Sequence, residues 1–258
     1  APLPGCEESP GEAYSLNTTA VATVLEAARR AGVRRVVFSS TSAVYENNKT
    51  PIFSEDEVVR PDLTYASTKA AAEQICENFA RLYGMDMVVC RFFNVYGPHQ
   101  DVLRTSPPFT SYVARELVLN RTPRLFNKSD AQRDYVYVDD VVDLLVRMIE
   151  AEGNFAADRF NVSSGRGHSV PALYSLFREI SGRNIEPEYA DPELYWNAYP
   201  ALFDGASPLS RERIVKEVYK QAIGNPMKAQ DRFGWSARTD IRDGIAAVYA
   251  DSYRRLAA

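Results

Sequence analysis

Histidine and cysteine are scarce in this chain: two His and three Cys among 258 residues. With no Cys/His cluster, no metal site is expected. His99 and His168 sit in turn-like contexts and are expected at the surface. Cys6, Cys76 and Cys90 form no close pair, and an odd number of thiols fits a reducing cytosol better than a disulfide framework. Cys90 lies in the apolar run Met87-Val-Val-Cys90 and reads as a small core residue. No apolar stretch is long enough to span a membrane, and no signal peptide is expected. The net charge is −4, and the Arg residues are scattered, as in Arg29-Arg30 and Arg34-Arg35. Those pairs read as solvated helix ends, so no nucleic-acid surface is suggested. A Gly-rich phosphate turn is also missing: neither Gly-x-Gly-x-x-Gly nor Gly-x-x-Gly-x-x-Gly occurs. Gly165-Arg-Gly167 is the nearest imitation, and it reads as a turn after a late strand.

What is present is an ordinary globular composition, 45% hydrophobic and 25% charged. The length allows one large domain or two small ones. The informative stretch is Tyr65-Ala-Ser-Thr-Lys69. A Tyr and a Lys four apart on a helix share one face, about one turn from each other. A nearby ammonium favours the phenolate, so such a pair can act as a base near neutral pH. Random placement of 15 Tyr and 6 Lys predicts about 0.35 such pairs, so one match alone is weak. There are two. Tyr45-Glu-Asn-Asn-Lys49 runs into Thr50-Pro51 and reads as a loop, where this spacing does not align side chains. Tyr65–Lys69 instead opens a helix with Ala66, Ala70, Ala71, Ile75 and Phe79 at apolar or small positions. Upstream, the β-type run Arg35-Val-Val-Phe-Ser-Ser-Thr41 ends in hydroxyls. Strand end and Tyr/Lys helix together suggest an alcohol–ketone redox site.

Along the chain, residues 1–11 carry three Pro and two Gly and read as an extended lead-in. Residues 12–31 have a helical pattern closed by Gly32. A strand is expected over 33–40, a polar loop over 45–63, a helix over 65–83 stopped by Gly84, and a fully buried strand over 86–92. Asn94-Val-Tyr-Gly-Pro98 reads as a turn. This alternation implies an α/β fold with a parallel, doubly wound sheet. Further helices are expected over 109–119, 139–149, 170–180, 228–233 and 240–255, with strands over 123–126, 134–138 and 159–162. The irregular pieces, 98–132 and 160–235, read as a smaller lobe interleaved with the sheet. The expected division is residues 1–160 for the sheet domain, with 98–132 partly in the lobe, and 161–258 for the lobe with a C-terminal helix.

Four segments resemble one family. They are the run from Leu25 to Tyr45, Tyr65-Ala-Ser-Thr-Lys69, Arg91-Phe-Phe-Asn-Val-Tyr-Gly-Pro98 and Arg133-Asp-Tyr-Val-Tyr-Val-Asp-Asp-Val141. In this order they are similar to the signatures of extended short-chain dehydrogenases/reductases, the NAD-dependent nucleotide-sugar epimerase/dehydratase group. The resemblance implies a Rossmann-type sheet and NAD as cofactor. It also implies that on the order of 70–80 residues, the Gly-rich half of a doubly wound nucleotide fold, are missing ahead of this sequence. Either they lie outside the sequence given, or the chain is a genuine fragment.

Roles follow from the same resemblance. Thr41 would hydrogen-bond the reacting sugar oxygen, Tyr65 would move the hydroxyl proton, and Lys69 would hold the nicotinamide ribose. Asn17, Ser39, Ser40 and Phe93 fall on the cofactor side; the serines, with Ser42, are better suited to backbone bonding or a supporting place, and the alternative for Asn17 is to bridge backbone. Asn94 and Arg133 resemble residues that touch the nucleotide diphosphate, a role that suits a guanidinium fork. The alternative for Arg133 is a salt bridge with a neighbouring acid. Phe109, Leu125 and Phe126 fall where the family lines its base pocket, or else pack a core. Arg213 is the nearest candidate for a second phosphate-binding Arg, although the register points closer to Val215. Dimerisation is a family expectation, through the helices over 12–31 and 65–83. Ala72, Phe79 and Tyr83 would support it from an outer face, or belong to the core.

Sugar 4,6-dehydratases of the family usually carry an Asp-Glu pair directly after the Thr, and here Ser42-Ala43 stand there. That favours a 4-epimerase, acting on a UDP-hexose through a transient 4-keto sugar. Alternatives are a dehydratase or decarboxylase drawing an acid from Glu46 or elsewhere, and a non-catalytic sugar-nucleotide-binding fragment. Neither the sugar nor the nucleotide can be read from the residues.

Overall fold

A computed structural model describes residues 3–104, 107–197, 199–204 and 208–256. In chain order, the first elements are α1 (Leu3–Glu8), α2 (Pro10–Tyr14), α3 (Ala20–Arg30), β1 (Arg35–Thr41), α4 (Thr64–Tyr83) and β2 (Asp86–Phe92). Next come β3 (Asn94–Tyr96), α5 (Phe109–Val118), β4 (Arg124–Leu125), β5 (Gln132–Tyr137), α6 (Val138–Glu150) and β6 (Asp158–Val162). The last are β7 (Gly167–Ser169), α7 (Val170–Ser181), β8 (Glu188–Tyr189), α8 (Arg211–Tyr219), α9 (Met227–Phe233) and α10 (Ile241–Leu256).

Two compact units result. The first gathers residues 1–93, 142–165 and 222–236, and the second gathers 94–141, 166–221 and 237–258. In the first unit β1, β2 and β6 form a parallel sheet in the order β1-β2-β6. Parallel neighbours need crossovers, which α4 supplies between β1 and β2. The middle strand, β2, is apolar almost throughout because both its faces are covered. Leu25, Cys76, Met87 and Val89 form one core, while Val44, Tyr45, Phe53, Phe93 and Ala222 form another. Glycine ends α4: Gly84 adopts the left-handed conformation at φ 67°, which costs glycine little.

In the second unit β3 pairs parallel with β5, which pairs antiparallel with β7. Its core joins Tyr96, Val113, Leu117, Tyr135, Leu173, Phe177 and Ile245 from β3, α5, β5, α7 and α10.

Several expectations are corrected. The lead-in is not extended: Pro4 and Pro10 stand in the first turns of α1 and α2, where a missing N–H costs nothing, and Ser9 joins the two helices. The segment from Asn94 is a short strand rather than a turn, because its backbone pairs with β5. His168 is not in a turn; it lies half-buried in β7 opposite Arg133, and burial lowers its pKa. Arg35 is not on a solvated helix end. Its side chain is only 3% exposed and pairs with Asp86 at 2.6 Å. The rest of its guanidinium donates to the carbonyls of Met148, Ala151 and Gly153, so every donor-rich edge has a partner. Helix α8 falls where only mixed structure was expected.

Candidate active site

Thr41 closes β1 at the C-terminal end of the sheet, where open α/β sheets present ligands. It is buried, and its Oγ1 accepts the Ala43 N–H at 3.2 Å, which starts the 3₁₀ turn Ser42–Tyr45. The Thr41 hydroxyl lies near enough to the Tyr65 phenol to lower its pKa. Lys69, one turn on from Tyr65, donates from Nζ to the Ser39 carbonyl at 2.6 Å and lies 4.7 Å from the centre of the Phe38 ring. The structure therefore brings Thr41, Tyr65, Lys69 and Ser39 to one place.

The electrostatics differ from the simple ammonium–phenol picture. Burial raises the Tyr65 phenol above its ordinary value; the Thr41 hydroxyl pulls it back and Cys6 adds to the rise. Burial also lowers the Lys69 ammonium, with Cys76 and Glu73 opposing. Each group is thus held closer to its neutral form by loss of water.

The start of α4 is tied down on three sides. Glu7 on α1 accepts the Thr64 N–H at 2.6 Å and the Thr64 hydroxyl at 2.9 Å, satisfying donors that the helix leaves open. Asn17 donates to the Thr68 hydroxyl at 3.1 Å, and Thr68 donates to the Tyr65 carbonyl at 2.8 Å. Glu46 is buried, and its carboxylate accepts the N–H groups of Asp62 and Leu63 at the entry to α4. Ser39 is exposed, whereas Ser40 is buried and donates to Glu73. Phe93 is buried, and Gly224 lies against it: a Cβ there would stand 2.5 Å from the ring.

The decoy pair is separated by its surroundings. Tyr45 is fully buried, stacked on Phe53 with ring centroids 4.9 Å apart. It accepts from Arg91 at 2.7 Å and donates to Asn161 at 2.9 Å. Burial pushes its phenol up to about 12 despite Arg91.

In the second unit, exposed Asn94 donates to the Asp134 carbonyl at 2.8 Å. Arg133 and Arg213 meet at one residue: Arg133 Nη1 lies 3.8 Å and Arg213 Nη1 3.5 Å from the Glu217 carboxylate. Arg133 Nη2 also donates to the Glu217 carbonyl. Leu125 is a core residue here, and Phe109 packs partly buried against the same core. Phe126 is half-buried. Sequence reasoning missed Glu7, Glu73, Glu217 and Gly224. A signal existed for Glu73 alone, as a carboxylate two turns beyond Tyr65 on the same helix face. Among the described residues no group of His, Cys, Asp and Glu is arranged to hold a metal ion. No described helix is long and apolar enough to cross a membrane.

The chain is 31% identical over 233 residues to the UDP-glucose 4-epimerase of Mycolicibacterium smegmatis, covering 90% of the chain and 66% of that relative. Other curated relatives are spanned over 50% to 70% of their length. The fold superimposes on the crystal structure of UDP-glucose 4-epimerase with UDP-glucose from Thermotoga maritima, with TM-score 0.82 and 27% identity, covering 99% of this chain and 74% of that one. It also matches the Thermus thermophilus UDP-glucose 4-epimerase complex with NAD, with TM-score 0.78 and 25% identity, covering 98% and 74%. Residues 3–163 match the NAD-dependent epimerase/dehydratase family, and the chain belongs to that family.

Proposed function

We propose that this chain acts as an NAD-dependent 4-epimerase of a UDP-hexose, by way of a transient 4-keto sugar. The observation that carries the reading is the meeting of Thr41, Tyr65 and Lys69 at the end of β1. Thr41 orients the reacting sugar hydroxyl, and Tyr65 takes or returns its proton. Burial keeps the phenol protonated, so reaching the base form depends on the Thr41 hydroxyl beside it, which lowers its pKa. The residues present fit the nicotinamide–ribose end of the cofactor. An ammonium has three donors, and the one that Lys69 places on the Ser39 carbonyl aims it along the exposed strand end. Tyr65, Lys69, Ser39, Asn17 and Phe93 would hold that end. NAD held there would supply the hydride acceptor and donor for the sugar carbon.

Asn94, Arg133 and Arg213 are proposed to hold the nucleotide diphosphate, with Phe126 and the edge of Phe109 at the base. UDP is favoured by the relatives, whose names specify UDP-sugars. Glu46 supports epimerisation over elimination or decarboxylation, since its carboxylate is committed to backbone N–H groups. A homodimer through α3 and α4 is also proposed. Val24, Leu82 and Tyr83 are exposed on those helices, whereas Ala72 is core and Phe79 packs partly against it. The three buried free thiols suit a reducing cytoplasm.

The test is a panel of UDP-sugars assayed for 4-epimer formation, with Tyr65→Phe beside the wild type. Tyr65→Phe is expected to abolish turnover while NAD, read after denaturation, stays bound. No turnover on any UDP-sugar by an NAD-loaded wild type would leave a sugar-nucleotide binder, and unchanged turnover in Tyr65→Phe would remove Tyr65 as the base.

A further inference from the structure

Glu73 lies one turn beyond Lys69 and two beyond Tyr65 on α4, so the three share a helix face. Unlike the other two it is enclosed, at 2% exposure. Each strand of the three-stranded sheet places a donor on its carboxylate. From β1, Ser40, the residue before Thr41, donates its hydroxyl. From β2, Arg91 donates Nε at 3.0 Å and Nη2 at 2.7 Å, a two-pronged fork. From β6, Arg159 donates Nε at 3.2 Å. The far side of the Arg91 guanidinium continues to Tyr45 and from there to Asn161. Burial alone would raise the Glu73 carboxyl, but Arg91, Ser40 and Arg159 together hold it below the usual carboxylate range.

Stability is a poor explanation for such a cluster, because well-packed apolar residues of similar volume often serve as well as a buried ion pair. Geometry is a better one. A carboxylate gripped by three strands fixes the rotation of α4 about its own axis, and that rotation decides where Tyr65 and Lys69 point. Turning the helix by on the order of 10° moves a tyrosine hydroxyl by about 1 Å, and a misplacement of that size costs on the order of 10²-fold in rate.

We propose that Glu73 is a positioning residue: with Ser40 and Arg91 it locks α4 against the catalytic end of β1 and so holds Tyr65 and Lys69 against Thr41. This rests on Tyr65 acting as the base. It also gives Ser40 a role inside the protein rather than on the cofactor.

The test uses the purified protein with tyrosine labelled at ¹³Cζ, the Tyr65 resonance being assigned from Tyr65→Phe. Glu73→Gln keeps the side-chain volume and removes the charge; Ser40→Ala removes one bond and is the variant least able to disturb folding. In both, the Tyr65 resonance is expected to move without any ligand present. For Glu73→Gln, kcat falls about 10- to 100-fold with KM within about twofold; for Ser40→Ala it falls less, in the same direction. Glu77→Gln loses only the outer contact with Arg159 and should leave both readouts unchanged. A folded Glu73→Gln or Ser40→Ala with a wild-type Tyr65 resonance and wild-type kcat overturns the inference. So does a loss of activity that merely tracks the unfolded fraction. Unchanged turnover in Tyr65→Phe strikes the proposed function instead, and the ligand-free resonance still reports on the clamp.

Discussion

Replacing Tyr45 by Phe isolates a single hydroxyl in the middle of a buried polar chain. The ring's stacking on Phe53 and its place under the Arg91 guanidinium, 4.9 Å away, survive the change. What goes is the acceptor for Arg91 Nη1 at 2.7 Å and the donor to Asn161 Oδ1 at 2.9 Å. Arg91 Nη1 retains only a long contact to the Glu55 carbonyl at 3.4 Å. Each buried polar group left unmatched costs about 1–3 kcal/mol, so the loss should total about 2–4 kcal/mol. In urea this is a midpoint shift of about 1 M, followed by circular dichroism. Tyr65→Phe removes a hydroxyl from a half-buried place and should cost under about 1.5 kcal/mol. The stability cost should therefore be larger at Tyr45 than at Tyr65. A Tyr45→Phe protein as stable as wild type, or a larger loss in Tyr65→Phe, refutes the reasoning.

The same hydroxyl has an alkaline signature. Its pKa rises from 10.0 unfolded to about 12 folded, because burial disfavours the phenolate. The native state then binds more protons than the unfolded state between those values, and stability falls as pH rises through them. The contribution is complete below pH 10 and is lost by about pH 12, on the order of 2–3 kcal/mol. Tyr45→Phe should flatten that part of the stability profile.

Gly224→Ala would place a Cβ 2.5 Å from the Phe93 ring and 2.6 Å from the Ser163 Cβ. The expected cost is about 1–3 kcal/mol in thermal or urea unfolding, and a crystal structure of the variant should show the Phe93 ring displaced. Cys76 and Cys90 are buried, with thiols pushed up to about 12, and Cys6 is buried and raised in the same direction. A disulfide reagent at neutral pH should therefore find none of these three until urea unfolds the chain; prompt reaction of any of them in native buffer would contradict the burial.

Elements whose pattern is local were legible from the residues alone. The bounds of β2 match the apolar run, and α4 ends at Gly84 because glycine alone reaches φ 67° without strain. Reading failed where tertiary partners decide. Arg35 reads as a solvated charge until Asp86 and three carbonyls, 51 to 118 residues away in sequence, surround it. The segment from Asn94 reads as a turn until β5 arrives to pair with it. Composition alone made residues 1–11 extended, yet Pro4 and Pro10 lie in the first turns of helices, and Glu7 of the first then caps α4.

The site divides along the same line. Tyr65 and Lys69 were legible because helical spacing makes them neighbours whatever else the chain does. Thr41 was legible only through family resemblance, since a strand-end hydroxyl has no local mark. Of the carboxylates only Glu73 carried a signal, its place two turns beyond Tyr65, and that signal named no partner. Glu73, Glu7 and Glu217 each act on a partner distant in sequence: Arg91, Thr64 and Arg133. On a helix surface a Glu is usually solvated, so its spacing says nothing of the charge it will meet. That meeting is set when a strand such as β2 delivers Arg91 to the helix face, which is a property of the sheet order. A Tyr/Lys pair is therefore legible from helical spacing alone, and the strand order determines which charge meets the carboxylate one turn further on.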